Sequence, residues 1–375
     1  MNSRERVLAA LNHQVPDRVP IDFGSFPGAT SINVRAYQNL LDYLGLKREV
    51  RIANILMFTA EVDNDILDRF HVDTISIKPA IAQKEFGTPS EFIDLPWGVK
   101  WRRSTDFSYA PVEGPFQKLE NPTVDDLRHF DWPLSSDIED FQQWREKAIR
   151  IRQETDRALV ARMPPGIFTL AQFMRGFEGW MTDLLLNREF SDALHEKLTE
   201  IWIAAVEGVL EAVGDNIDIL MFGDDFGLQN QTIVRPQMFR EQMKPWLIKA
   251  IRRIKPQTKA KIALHSCGSV FPYLDDFVDI GIDVLNPLQA NAKDMEAGKI
   301  KEKAGRRLAL WGGIDTHEVL PLGTRENVRD EVKTKIAILG KEGGYMLSAD
   351  HNILVDVPPE NLLTLFDAAL EFGRY

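Results

Sequence analysis

Short apolar runs alternate along the chain with longer stretches whose apolar residues recur at helical spacing. The short runs are rich in Val, Ile, Leu and Met, as expected of strands buried on both faces. Long helical stretches between consecutive strands are typical of a parallel sheet with crossover helices. We predict eight strands, at Val19–Gly24, Asp73–Lys78, Ala158–Met163, Ile217–Gly223, Lys261–His265, Asp283–Pro287, Leu308–Gly312 and Gly344–Ser348.

The intervening segments predict helices and a closed barrel. Apolar residues from Leu194 to Val213 follow helical spacing, and Gly214 supplies a C-terminal stop. The segment from Met238 to Ile254 shows the same spacing. No Gly-x-Gly-x-x-Gly sequence occurs, which argues against a dinucleotide-binding doubly wound sheet. We therefore predict an α/β fold, a (β/α)8 TIM barrel that spans residues 1–375 as a single domain.

One connection is too long for a single loop. Residues of about 80–157 follow the second predicted strand, and within them Trp97–Trp101 alternates like a strand. We interpret this segment as an insertion at the catalytic end of the barrel, where functional loops gather. It forms either a lid or partner surface, or a packing elaboration without a role in the chemistry.

Composition excludes several classes of function. The 375 residues include 45 basic and 56 acidic residues. Nucleic-acid binding needs basic residues clustered on one face, and the sequence shows no such cluster. No apolar run approaches the roughly 18 residues of a membrane span, and the charged N-terminal segment lacks a signal-peptide core. A single cysteine allows no intrachain disulfide. We predict a cytoplasmic protein.

Polar residues concentrate at the carboxyl ends of the predicted strands, which form the active-site face of such barrels. Three of the seven histidines fall there, which directs attention to metal binding. The strand-end residues are Asp22, Lys78, Arg162, Asp224, Asp225, His265, Cys267, Asn286, Gln289, Asp315, His317, Asp350 and His351.

The pair His265 and Cys267 is the sharpest of these features. Side chains alternate along an extended chain, so both lie on one face, where an imidazole nitrogen and a thiolate sulfur can reach one ion. Zinc accepts this mixture, and catalytic zinc keeps three protein ligands and one open position. His351 or one residue of the Asp224–Asp225 pair would supply the third ligand. The alternatives are an unreactive buried cysteine and aspartates that cap a helix or loop.

At these residues the chain resembles the uroporphyrinogen decarboxylase superfamily, and more closely its corrinoid-dependent branch of methylcobamide:coenzyme M-like methyltransferases. The resemblance covers nearly the whole chain. It is carried by the segments RERVLAALNHQVPDRVPID, RGFEGWMTDLL, GDDFGLQNQTIVRPQMF, LHSCGSV, LNPLQ, LWGGIDTHEVLPLGT and DVPPENLL.

The resemblance implies a zinc ion on His265 and Cys267. A second cysteine of that branch aligns with His351, so the chain departs from the pattern there, although histidine is itself a zinc ligand. The implied function is methyl transfer between a corrinoid, which a separate corrinoid protein carries, and a small molecule such as an O-methyl compound or a thiol. A homodimer is compatible with this resemblance. Asp224 and Asp225 are the catalytic candidates, and the substrate-binding candidates are Asp22, Lys78, Arg175, Asn286, Gln289 and Asp315.

Two other functions remain open. A decarboxylase of this superfamily would need an arginine-lined cleft for its eight-carboxylate tetrapyrrole, yet the loop after the first strand has no arginine before Arg35. Arg162 and Arg175 alone are insufficient for that task. A non-catalytic, corrinoid-handling accessory protein would bind its partner without turnover.

Overall fold

The computed structural model describes residues 1–77, 81–82, 87, 89–94, 96–104 and 108–375. Seven parallel strands form one curved sheet. They are β3 (Thr74–Ser76), β8 (Ala158–Arg162), β9 (Ile219–Gly223), β10 (Lys261–His265), β11 (Val284–Leu288), β12 (Ala309–Ile314) and β13 (Tyr345–Ala349). Both ends of each strand lie within two residues of the predicted bounds. The spatial order of the strands is β13-β12-β11-β10-β9-β8-β3.

The first predicted strand closes the sheet, although its pairing is shorter than predicted. Ile21 forms a single parallel bridge with Leu347 of β13. On the other side, the Ile21 carbonyl accepts a hydrogen bond of 2.8 Å from the Asp73 amide, next to β3. Gly24 then takes a positive φ of 89° and turns the chain away. The segment thus occupies the eighth position, and the predicted barrel is confirmed.

The inside and outside of the barrel follow the alternation of side chains along each strand. Inward residues such as Val160, Met221 and Trp311 form a compact inner core of buried side chains. Outward residues such as Leu159 and Leu220 pack with the surrounding helices into a second, larger core. The inner core fills the barrel below the carboxyl ends of the strands, so polar residues at those ends lie above an apolar floor.

The helices match the predicted periodicity. The longest ends where Gly214 takes a φ of 56°, as the sequence predicts. The predicted helix from Met238 to Ile254 contains a π-helical turn, Phe239–Met243, before it continues as Lys244–Ile254. The α-helices are Ser3–Leu11, Val34–Tyr43, Asn64–Arg69, Val124–Arg128, Ser135–Ile138, Phe141–Glu154, Ile167–Arg175, Phe177–Leu186, Arg188–Val213, Pro236–Met238, Lys244–Ile254, Leu274–Ile280, Ala297–Ala304, Val319–Leu322, Arg325–Leu339 and Pro359–Phe372.

The described residues also form two antiparallel sheets outside the barrel. Two of their strands precede β3, namely β1 (Arg51–Asn54) and β2 (Thr59–Ala60). The others lie between β3 and β8 and are β4 (Ile81–Ala82), β5 (Glu91–Asp94), β6 (Val99–Arg103) and β7 (Tyr109–Glu113). A meander follows the order β5-β6-β7, and a smaller sheet follows the order β2-β1-β4. The predicted strand at Trp97–Trp101 is displaced by two residues, to Val99–Arg103. Among the described residues, no helix has the length and apolar character needed to cross a membrane.

Candidate metal centre

Three predicted ligands meet at the carboxyl ends of the barrel strands. His265 ends β10, Cys267 follows it, and His351 follows β13. The ligand atoms of these three side chains all lie within 4.8 Å of one another. The Cys267 sulfur lies 3.4 Å from Nε2 of His265, and the two imidazole rings are 6.2 Å apart at their centres. We call His265, Cys267 and His351 the mouth cluster.

The next strand fixes the orientation of His265. Nδ1 of His265 lies 2.7 Å from Oδ1 of Asn286, in β11. An amide oxygen only accepts, so Nδ1 carries the proton and Nε2 presents its lone pair toward Cys267. The Asn286 amide nitrogen donates in turn to the Trp311 carbonyl at 3.4 Å. Ligating histidines in metalloproteins are held in this way through their second ring nitrogen.

The loop that carries Cys267 is fixed by neighbouring strand ends. The Cys267 amide donates to Oδ1 of Asp225 at 2.8 Å, and the Gly268 amide donates to Oε1 of Gln289 at 2.8 Å. Gly268 has a φ of 79°, and a β-carbon there would lie 2.5 Å from the backbone of Gly227. Only glycine fits this close approach, so the tight turn that places the thiol depends on residue 268.

The electrostatic environment suits metal ligation by His351. Burial, together with the neighbouring His265, lowers the pKa of His351 to about 4, so its imidazole is neutral at pH 7. Burial and the negative charges of Asp225 and Asp350 raise the pKa of the Cys267 thiol well above its usual range. Among the described residues, none supplies this site with the positive charge that a thiolate needs, and a bound cation would provide that charge.

The two adjacent aspartates have different surroundings. Asp224 is fully buried and accepts hydrogen bonds from the amides of Phe168 and Thr169, at the start of the helix Ile167–Arg175. Burial raises the pKa of Asp224 to about 7. Asp225 is half exposed, and its Oδ1 lies 3.9 Å from Nε2 of His265. Asp225 therefore adjoins the mouth cluster, whereas Asp224 caps a helix, which was the alternative interpretation for this pair.

Two predicted substrate-binding residues are engaged elsewhere. Buried Arg175 donates to Oδ2 of Asp183 at 2.6 Å and to the Phe116 carbonyl at 2.8 Å, so it fastens the insertion to the barrel. Asp22 is buried over the inner core, where it accepts hydrogen bonds from Thr74 and Trp311. Burial raises the pKa of Asp22. Lys78 lies outside the described residues.

Polar side chains beside the mouth cluster join three loops. The Gln289 amide nitrogen donates to Gln229 at 3.2 Å and to Asn291 at 3.3 Å, and Asn291 donates to Oδ1 of Asp315 at 3.3 Å. Asn286 and Gln289 were predicted to contact substrate, and here they hold His265 and the Cys267 loop. The sequence prediction did not include Gln229 and Asn291, although both lie in loops that follow strands.

A second group of ligand-type atoms lies nearby. Asp315, His317 and Asp350 also place one such atom each within 4.8 Å of the others, and we call them the acid cluster. Oδ1 of Asp315 accepts hydrogen bonds from the His317 and Glu318 amides at 2.6 and 3.1 Å. Oδ1 of Asp350 accepts hydrogen bonds from the Thr316 amide and hydroxyl. Asp315 thus orders its own loop, and Asp350, which follows β13, holds the neighbouring loop after β12.

The family follows from the comparison with known proteins. The family model described as "Uroporphyrinogen decarboxylase (URO-D)" matches residues 102–372, more than half of the chain. The chain belongs to the uroporphyrinogen decarboxylase family. The superfamily resemblance seen in the sequence is therefore confirmed.

Curated relatives of this uroporphyrinogen decarboxylase family member are distant. A uroporphyrinogen decarboxylase of Legionella pneumophila (strain Philadelphia 1) is 22% identical over 272 residues, 71% of this chain and 73% of the relative. The enzyme of the same name from Psychromonas ingrahamii is 35% identical over 79 residues, 21% of this chain and 22% of the relative. Among solved structures, a methyltransferase from Methanosarcina mazei matches with a TM-score of 0.66 and 21% identity, covering 99% of each chain. This last likeness supports the barrel fold.

Proposed function

We propose that the chain is a zinc-dependent methyltransferase that moves a methyl group between a corrinoid and a small molecule, either an O-methyl compound or a thiol. The observation that carries the proposal is the mouth cluster, in which one thiol and two imidazoles meet above the inner core of the barrel. Zinc, a corrinoid protein and a small-molecule methyl donor or acceptor are its implied partners. The proposal places the protein in the cytoplasm and allows a homodimer.

The mouth cluster fits a zinc ion in donor type and spacing. Ligand distances of about 2.3 Å to sulfur and 2.0 to 2.1 Å to nitrogen, at a tetrahedral angle, separate the two ligand atoms by about 3.6 Å. The sulfur of Cys267 and Nε2 of His265 are 3.4 Å apart. His265, Cys267 and His351 would hold the ion, and three protein ligands leave one tetrahedral position for a substrate atom.

The chemistry divides between the ion and the residues around it. A bound zinc ion would stabilise a substrate thiolate or polarise an ether oxygen. Asn286 holds the proton of His265 on Nδ1 and keeps Nε2 available. Asp225, half exposed and 3.9 Å from Nε2, provides a carboxylate that can receive the proton of an incoming thiol and pass it to solvent. The ordered Cys267 loop keeps this arrangement rigid before substrate arrives.

Tetrapyrrole decarboxylation is the second candidate because the curated relatives carry that name. Such a substrate carries several carboxylates and needs several guanidinium groups at the mouth. Arg175 is already paired with Asp183 inside the protein, and the loop after the first strand has no arginine before Arg35. Arg162 alone does not supply several guanidinium groups. Methyl transfer therefore agrees better with the side chains of the described residues.

A spectroscopic assay separates the candidates. Zinc-loaded protein is mixed with methylcobalamin and, in parallel, with 2-mercaptoethanesulfonate, benzenethiol or no thiol, and demethylation of the corrinoid is followed by absorbance. We expect thiol-dependent demethylation that disappears in Cys267→Ser. Decarboxylation of uroporphyrinogen that persists in Cys267→Ser, without demethylation, would replace the proposal with the decarboxylase. Corrinoid binding without either turnover would indicate an accessory protein.

A further inference from the structure

A cavity of about 150 Å³ lies between the insertion and the carboxyl end of β8, apart from the mouth cluster. Its described wall is largely aromatic and apolar. The main contributors are Trp97, Trp101, Pro164, Pro165, Leu170 and Phe173. An apolar cavity of about this volume is large enough to hold a benzene ring.

Arg162 brings a positive charge into this cavity. It ends β8 on the same face as Ala158 and Val160, which belong to the inner core, so its side chain starts from the inside of the barrel at the active-site end. Its guanidinium makes no hydrogen bond and no ion pair within 4.0 Å to the described part of the chain. Arg162 is half-buried, and this partial burial lowers its pKa, while the charge of Glu139 acts in the opposite direction.

The same wall holds a second donor. Trp101 is 3% exposed, and its indole N–H has no hydrogen-bond partner in the part of the chain that the structure describes. The ring itself is fixed by an edge contact with Phe173, at 5.0 Å between ring centres. Buried indole N–H groups are normally satisfied, so this one points to an acceptor that the described residues do not provide.

The acidic residues of the wall leave room for an anion. The Glu139 carboxylate accepts a hydrogen bond of 2.9 Å from the indole of Trp144, and its charge acts on Arg162 only at longer range. Asp94 also lines the cavity. Neither carboxylate forms an ion pair with the guanidinium within 4.0 Å. The planar donor fork of Arg162 therefore remains available for a carboxylate that enters from outside.

We propose that this cavity binds a small planar carboxylate, with its carboxylate on Arg162 and its flat body between the aromatic and proline walls. The N–H of Trp101 supplies the second donor. That this compound is the small molecule of methyl transfer rests on the proposed function, whereas its binding does not, because none of these residues belongs to the mouth cluster.

The test uses benzoate as the probe, with benzamide and cyclohexanecarboxylate as matched comparisons. Binding is measured by calorimetry on zinc-free and zinc-loaded full-length protein. We expect benzoate to bind at least about tenfold more tightly than benzamide, which lacks the charge, and than cyclohexanecarboxylate, which lacks the flat ring. Zinc should not change these ratios, so a failure of the zinc proposal leaves this result intact.

Variants assign the binding to the cavity. Arg162→Gln should abolish the preference for benzoate over benzamide, and Arg162→Lys should retain part of it. Trp101→Phe should weaken benzoate binding severalfold while the ring remains in place. Arg150→Gln, an exposed change in the insertion, serves as the control. Equal binding of benzoate and benzamide, no benzoate binding, or an unchanged preference in folded Arg162→Gln would overturn the proposal. If Arg162→Gln does not fold, Arg162→Lys and Trp101→Phe decide it.

Discussion

The mouth cluster and the acid cluster are both three-residue groups at the strand ends, and in each the ligand atoms lie within 4.8 Å of one another. The two clusters differ in whether their ligand atoms already accept hydrogen bonds from the protein. In the mouth cluster, a hydrogen bond holds the far nitrogen of His265 and leaves Nε2 facing the Cys267 sulfur. In the acid cluster, Asp315 accepts hydrogen bonds from its own loop, and Asp350 accepts them from Thr316 in the neighbouring loop after β12. Proximity alone therefore does not identify a metal site, whereas the state of the donor atoms does.

Removal of a mouth-cluster ligand should have the largest effect on zinc binding. Cys267→Ser and His351→Ala each take away one of three protein ligands, and we expect the zinc affinity to fall at least about a hundredfold, beyond the effect of losing a supporting hydrogen bond. Competition with a chromophoric chelator measures this. The exposed change His129→Ala is the matched control, and wild-type affinity in either ligand variant would remove that residue from the site.

Loss of the support under His265 should have a smaller effect. Asn286→Ala removes the acceptor that fixes the imidazole, and changes of this kind lower metal affinity about 10- to 100-fold. The same chelator competition applies, with Asn216→Ala, at the far end of the long helix, as control. An affinity equal to wild type would show that Asn286 does not orient the ligand.

Burial of the Asp350 carboxylate in the acid cluster should make the free energy of unfolding depend on pH. Burial and the charge of Asp315 raise the pKa of Asp350 to about 6, above its unfolded value near 3.8. The stability that this group contributes is complete below pH 3.8 and is lost as the pH rises to about 6. In metal-free protein, Asp350→Asn should therefore raise the free energy of unfolding above pH 6, by at most about 3 kcal/mol.

Urea unfolding between pH 4 and pH 8 measures this difference between wild type and Asp350→Asn. A parallel series with magnesium or manganese tests the comparison itself. If either cation stabilises the wild type but not the variant, the acid cluster binds metal. That result would contradict the conclusion that only the mouth cluster is a metal site.

The smallest effect is expected for Asp315→Asn. This carboxylate orders its own loop and reaches the mouth cluster only through Asn291 and Gln289. The zinc affinity should change by less than about threefold, because indirect neighbours couple weakly. A loss as large as that of Cys267→Ser would make Asp315 part of the metal site.

The barrel strands could be predicted from the sequence because each strand is marked by a short apolar run within its own residues. The pairing of His265 with Cys267 followed from alternation along an extended chain, and the structure brings His351 to both. Alternation alone could not decide whether Asp224 caps a helix or takes part in the chemistry, and it did not predict the role of Arg175. These roles depend on the start of the helix Ile167–Arg175 and on the packing of the insertion, which are contacts distant in sequence. The cavity at Arg162 was missed for the same reason.

The most direct test of the account is the metal content of the purified protein, prepared without chelators and measured by mass spectrometry of the elements. The account predicts about one zinc per chain in the wild type, with loss of that zinc in Cys267→Ser and in His351→Ala. Wild-type protein without zinc that also fails to take it up on addition would contradict the central claim. It would leave a barrel of this family whose chemistry does not use the mouth cluster.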